Sequence, residues 1–313
     1  MKTIWIGCGT ALVTPFTESG AIDDKALRSL VLRQIEGGVN FLVPCGTTGE
    51  SPTLTQEERC HIVDLVVSVS NGQVPVLAGI GGNDTKVTVQ IAKELTSAGA
   101  DGVLAVTPYY NKPTQEGLFQ HFSTIAASID SPVVLYNVPS RTGCNIEAST
   151  VKRLSEVENI VGIKEASADL TQMNIICRDT PDDFSVLSGD DALTLSLIAV
   201  GGNGVISVAA NEVPSEMSAL VNAALANDFF RARDIHQRLL NLMQINFVES
   251  NPIPVKVALE VMGLGTARYR LPLVKASSES REKIIKVLSE LGLCAESQPD
   301  RDSTSKNEER TIE

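Results

Sequence analysis

The sequence is poor in residues that would point to several common functions. Its 313 residues include only three histidines, His61, His121 and His236, each isolated in a helix-like stretch, so converging imidazole ligands are missing. The six cysteines, Cys8, Cys45, Cys60, Cys144, Cys177 and Cys294, never form a C-x-x-C pair. Their scatter argues against a disulfide framework or a zinc site and for a reduced, intracellular setting. Basic charge is also short: 26 Lys and Arg face 38 Asp and Glu, for a formal net charge of -12. That balance leaves no nucleic-acid footprint and disfavours anionic membranes. No apolar run approaches a membrane span, and the N-terminus lacks a signal-peptide core, so the expected location is the cytoplasm. Phosphate loops are absent: Gly7-Cys-Gly-Thr runs into a strand-like segment instead of a helix, and no Walker motif occurs.

What remains is an ordinary globular composition, 43% hydrophobic and 20% charged, with a repeating order. Helix-like stretches end in small residues and glycine, and short apolar runs follow. Gly37-Gly-Val-Asn-Phe-Leu-Val43, Ala98-Gly-Ala-Asp-Gly-Val-Leu-Ala-Val106 and Val200-Gly-Gly-Asn-Gly-Val-Ile-Ser-Val208 are three cases. Candidate strands fall near 8–14, 41–45, 75–80, 102–107, 132–137, 160–166, 184–189 and 204–209. Stretches with helical apolar spacing, such as 25–36, 57–70 and 86–97, lie between them. This alternation predicts an α/β fold, a (β/α)8 TIM barrel over 1–226, with a doubly wound open sheet as the alternative. Helical patterns at 228–247, 254–262 and 278–291 predict a C-terminal helical extension over 227–294, and the polar segment 295–313 is expected to be a disordered tail.

One residue breaks the apolar pattern. In Asn159-Ile-Val-Gly-Ile-Lys-Glu-Ala-Ser167, Lys164 stands inside a strand-like run. Burying an ammonium among Val and Ile is unfavourable unless it is paired or loses its proton. A neutral lysine amine attacks carbonyls to form a Schiff base. The plainer readings are an ion pair with Glu165 or a snorkelling stem.

In a barrel of this kind chemistry is built from the carboxyl ends of the strands. Those ends carry Gly46-Thr-Thr-Gly-Glu50, Thr107-Pro-Tyr-Tyr-Asn111, Tyr136-Asn-Val-Pro-Ser-Arg-Thr-Gly143, Lys164, Ser188-Gly-Asp-Asp191 and Ile206-Ser207. Three of only four tyrosines, Tyr109, Tyr110 and Tyr136, fall on this face. A Schiff-base enzyme needs an amine, a proton shuttle and an anchor for a keto acid. Lys164 supplies the first. Tyr136, in a hydrogen-bonded chain with Thr47 and another tyrosine, fits the second. The open backbone and hydroxyls of Gly46-Thr-Thr-Gly fit the third. Arg141 fits a bidentate clamp on a second carboxylate. Core packing of Tyr136 and a structural ion pair for Arg141 are the alternatives.

Six motifs in order resemble the dihydrodipicolinate synthase (4-hydroxy-tetrahydrodipicolinate synthase) family: Gly46-Thr-Thr-Gly-Glu-Ser51, Thr107-Pro-Tyr-Tyr-Asn111, Tyr136-Asn-Val-Pro-Ser-Arg-Thr-Gly143, Gly162-Ile-Lys-Glu-Ala166, Leu187-Ser-Gly-Asp-Asp191 and Asn251-Pro-Ile-Pro-Val-Lys256. The resemblance runs from about residue 4 to 293. It implies a lyase that condenses pyruvate, held as a Schiff base on Lys164, with L-aspartate 4-semialdehyde on the diaminopimelate route to lysine. Tyr136 becomes the proton donor and acceptor, relayed through Thr47 and Tyr110, the latter reaching a neighbouring subunit's site. Thr48, Ile206 and Gly189 fall to pyruvate binding and Arg141 to the semialdehyde carboxylate. No metal or organic cofactor is implied. The implied assembly is a homotetramer, a dimer of dimers. The alternatives are a related aldolase for a sugar-derived keto acid and a non-catalytic keto-acid-binding barrel.

The resemblance also suggests a regulatory lysine site at Ser51, Asn83 and Tyr109. Val87 stands where inhibited relatives carry an acid, and Gln56 and Arg59 where histidines can occur. An ammonium ligand gains nothing from Val87 and is repelled by Arg59. Weak or absent lysine inhibition is expected, and half-maximal inhibition at submillimolar lysine would contradict it.

Overall fold

The computed structural model describes residues 5–294, so the expected tail at 295–313 lies outside the described residues. Eight parallel strands are present: β1 Gly7–Ala11, β2 Phe41–Val43, β3 Leu77–Gly81, β4 Gly102–Val106, β5 Val133–Asn137, β6 Ile160–Glu165, β7 Ser185–Ser188 and β8 Gly204–Ser207. They are ordered β2-β1-β8-β7-β6-β5-β4-β3. A bridge between Leu42 and Val76 joins the two ends of that order. The Leu42 N–H donates to Pro75 O at 3.0 Å and the Gly79 N–H to Pro44 O at 2.8 Å. The sheet is therefore a closed (β/α)8 barrel, which removes the open-sheet alternative.

Both faces of the strands are buried, which is why they read as continuous apolar runs. Phe41, Val43, Leu77, Leu104, Val134, Leu187 and Ile206 fill the interior, with Trp5 packed edge-on against Phe41 at 5.5 Å between ring centres. The outward residues meet the helices in a second apolar layer that includes Leu42, Val103, Leu135 and Ile163. Closure is tight between β1 and β8. A Cβ on Gly204 would lie 1.9 Å from Gly7 O, so only glycine allows the two strands to meet there. The expected first strand, 8–14, ends early at Ala11, because the Val13 N–H turns away to Asn211 Oδ1 at 3.2 Å.

Helix starts follow from short polar caps. Asp23, Asp84, Thr114, Asp169, Asp228 and Ser277 each accept a backbone N–H of the first turn. Thr55 and Glu58 form a reciprocal capping box at the start of Gln56–Ser70.

After β8 the helix Pro214–Leu225 packs on β1, and the helices Phe229–Ile245, Ile253–Val261 and Ser278–Glu290 follow. Their core includes Leu239, Leu242, Val257 and Ile284 and is continuous with Cys8, Val205 and Met217 of the barrel. The C-terminal helices therefore share a core with the barrel wall. Among the described residues no helix is long and apolar enough to cross a membrane, and no group of three or more His, Cys, Asp or Glu is arranged to hold a metal ion.

Candidate active site

The period-two alternation of strands decides the surroundings of Lys164. Tyr136 pairs with Lys164 across β5 and β6, and Lys164 with Leu187 across β6 and β7. Tyr136 and Leu187 belong to the barrel interior, so Lys164 points inward with them. Glu165, the next residue, points the other way. It accepts hydrogen bonds from Asn137 Nδ2 at 2.9 Å, the Ser167 N–H at 2.6 Å and Gln172 Nε2 at 3.1 Å. Burial raises the pKa of its carboxyl, against the lowering effect of these donors. The ion pair with Glu165 considered above is thus excluded by geometry. Among the described residues no carboxylate lies within ion-pair distance of Lys164, which is 5% exposed. Its Nζ lies 4.4 Å from the centre of the Tyr136 ring.

An open cleft of about 400 Å³ lies at the carboxyl ends of the strands. Thr47, Tyr136 and Arg141 line it, with Ser51 and Tyr109. Lys164 is not among the residues lining this cleft, whereas Tyr136, packed against the lysine, is. No hydrogen bond joins the Thr47 and Tyr136 side chains. Arg141 lies in the turn Pro139–Thr142 after β5, where its Nη2 donates to Asn251 O at 3.3 Å. It is exposed and pairs with no carboxylate among the described residues, so the structural ion pair is not formed.

Of the other candidates, Thr48, Ile206, Gly189, Tyr110 and Asn83 do not line the cleft. Thr48 is buried and accepts a hydrogen bond from Asn251 Nδ2 at 3.0 Å. Ile206 is buried in the barrel interior. Gly189 lies against the lysine itself: a Cβ there would be 3.1 Å from Lys164 Cε and 2.6 Å from Ala166 Cβ. Tyr110 is 89% exposed, with a left-handed φ of 75°, and is not brought to the cleft of its own chain. Asn83 is exposed, and its carbonyl accepts from Asn111 Nδ2 at 2.8 Å. Val87 is exposed, and Arg59 lines the cleft with its Nη2 on Ser51 O at 2.8 Å.

One wall of the cleft comes from outside the barrel. Ser250, Asn251, Pro252, Pro272 and Leu273 of the C-terminal extension close its side. Sequence reasoning assigned the working face to barrel loops alone and gave the Asn251-Pro-Ile-Pro-Val-Lys256 motif no physical role.

Residues 5–291 match the dihydrodipicolinate synthetase family. The chain belongs to that family. It is 52% identical over 288 residues to the 4-hydroxy-tetrahydrodipicolinate synthase of Koribacter versatilis (strain Ellin345), covering 92% of this chain and 96% of that one. It is 49% identical over 287 residues to the 4-hydroxy-tetrahydrodipicolinate synthase of Syntrophus aciditrophicus (strain SB), covering 92% and 98% of the two chains. The crystal structure of dihydrodipicolinate synthase from Aquifex aeolicus superposes with a TM-score of 0.91 at 44% identity, over 94% of this chain and all of that one. Membership of this family accounts for the barrel.

Proposed function

We infer that the chain works as a 4-hydroxy-tetrahydrodipicolinate synthase, a Schiff-base lyase that condenses pyruvate with L-aspartate 4-semialdehyde. The observation that carries the residue roles is Lys164 itself. It lies on the barrel interior with no carboxylate partner among the described residues, packed against a tyrosine that lines an open cleft.

In this reading the Lys164 amine attacks the pyruvate carbonyl carbon. The carbinolamine loses water to give an iminium, and loss of a methyl proton gives an enamine. The enamine carbon bonds to the aldehyde carbon of the semialdehyde, whose oxygen takes up a proton. The substrate amine then attacks the iminium carbon and displaces Lys164, which closes the ring. Each step moves a proton, and the Tyr136 hydroxyl, on the cleft with Thr47, is the group assigned to carry it. Thr47 and Thr48 receive the pyruvate carboxylate, with the Ile206 backbone and Gly189 beside it. Arg141, which lines the cleft and pairs with no carboxylate among the described residues, takes the semialdehyde carboxylate. No metal or organic cofactor is assigned a step.

The exposure of Tyr110, away from its own cleft, supports its reading as a residue that completes a neighbouring subunit's relay in a homotetramer. Ser51, Asn83 and Tyr109 remain the proposed regulatory residues, and Val87 with Arg59 supports weak lysine inhibition. The free, scattered cysteines support a cytoplasmic setting. By connectivity we divide the chain into a barrel, 1–226, and a helical extension, 227–294.

The test is turnover with pyruvate and L-aspartate 4-semialdehyde beside a set of sugar-derived aldehydes. Preference for the semialdehyde is the expected result. Turnover of sugar-derived aldehydes alone would move the chain to the aldolase reading.

A further inference from the structure

Lys256 is one of the most deeply buried charged side chains in the molecule, yet the reaction as proposed does not use it. It is 2% exposed, on the helix Ile253–Val261. Its ammonium donates to Glu50 Oε1 and, at 2.8 Å, to Arg268 O. It also lies 4.3 Å from the centre of the Phe16 ring and 5.4 Å from that of Tyr269. Burial pulls its pKa down to about 8, against the raising effect of the Glu50 carboxylate.

Glu50 ends the turn that carries Thr47 and Thr48. Its φ of 55° is left-handed, uncommon outside glycine and asparagine, so something must hold it there. Its N–H donates to Thr47 O at 3.1 Å, which couples its position directly to that residue. The extension grips the same segment again nearby. Asn251 Nδ2 donates to Thr48 Oγ1 at 3.0 Å, and Arg270 Nη1 to Thr53 O at 2.9 Å. The turn is therefore held from a part of the chain some 200 residues away.

We propose that Lys256 is a positioning residue: by anchoring Glu50 from the C-terminal extension, it fixes the Thr47–Thr48 turn where the pyruvate carboxylate is received. This rests on the assignment of that turn to pyruvate. A purely structural role, with the ion pair only fastening the extension to the barrel, predicts a different outcome for one pair of substitutions. Replacing a buried ion pair by neutral groups of similar shape is often tolerated by the fold. The double variant Lys256→Met/Glu50→Gln should therefore melt near the parent, whereas Lys256→Met alone, which strands a carboxylate, should melt well below it. Positioning requires that the double variant still show a pyruvate KM raised by roughly tenfold or more, with kcat at saturating pyruvate much less affected. A parental pyruvate KM in the folded double variant would overturn the proposal. If the double variant does not fold, Glu50→Gln, which weakens the same anchor while keeping the side chain's shape, carries the test, and an unchanged pyruvate KM there would overturn the proposal. Borohydride trapping of pyruvate on the parent enzyme is read first. Its failure would remove the pyruvate assignment, whereas success there with an unmoved KM in the variants would remove only the role of Lys256.

Discussion

Tyr136 and Lys164 face each other across β5 and β6, with the lysine nitrogen 4.4 Å from the centre of the phenol ring. The ring packs with the lysine, and the hydroxyl is the group proposed to carry protons, so packing and proton transfer can be separated by substitution. Tyr136→Phe keeps the ring and its packing and removes only the oxygen. Its melting temperature should stay close to the parent, while kcat falls by roughly 10²–10⁴, the usual worth of a positioned proton-transfer group. Near-parental turnover would assign the proton transfers to another group.

Gly189 leaves room for the lysine stem. A methyl group there would lie 2.6 Å from Ala166 Cβ and 3.1 Å from Lys164 Cε. Gly189→Ala should displace Lys164 and slow adduct formation with pyruvate by roughly tenfold or more. Overpacking should also lower stability by about 1–3 kcal/mol. Stopped-flow or quenched trapping reads the first effect. A parental rate of adduct formation would show that the stem has space to spare.

Among the described residues Arg141 is held through its bond to Asn251 O and has no carboxylate partner. Arg141→Ala should raise the KM for L-aspartate 4-semialdehyde by an amount corresponding to a lost charged hydrogen bond, about 1.5–3 kcal/mol, and leave the pyruvate KM nearly unchanged. Steady-state kinetics with each substrate varied in turn decides it. A larger effect on pyruvate would exchange the two assignments.

Glu212 is fully buried beside Asn246, and burial raises its pKa well above the ordinary carboxylate value, an effect increased by Asp191 and opposed by Asn246 and Arg33. The folded state therefore holds the proton to higher pH than the unfolded chain. Its stabilising contribution is complete below the unfolded value and is lost as pH rises towards the raised one. Glu212→Gln keeps the shape without the titration. Its melting temperature should gain on the parent as pH rises from the ordinary carboxylate range towards neutrality. A constant difference over that rise would mean that Glu212 is ionised in the fold.

The barrel was legible because strands buried on both faces read as apolar runs, and because helix starts carry Asp, Thr and Ser caps. Lys164 was legible for the opposite reason, as a charge inside such a run. Strand periodicity also held the answer to its pairing: Glu165, one residue on, must face the helices. The contribution of the extension was not legible. Asn251 meets Thr48 and Lys256 meets Glu50 across 203 and 206 residues of sequence, and no local pattern encodes such a meeting. The depth of Lys164 was equally hidden: it shares a face with Tyr136 but is buried and does not line the cleft.

The central claim is that Lys164 forms the covalent bond to pyruvate. Borohydride reduction in the presence of pyruvate, followed by intact mass and peptide mapping, tests it directly. The account predicts one reduced pyruvate adduct per chain, located on Lys164 and absent from Lys164→Ala. No adduct, or an adduct that persists in Lys164→Ala, would contradict it.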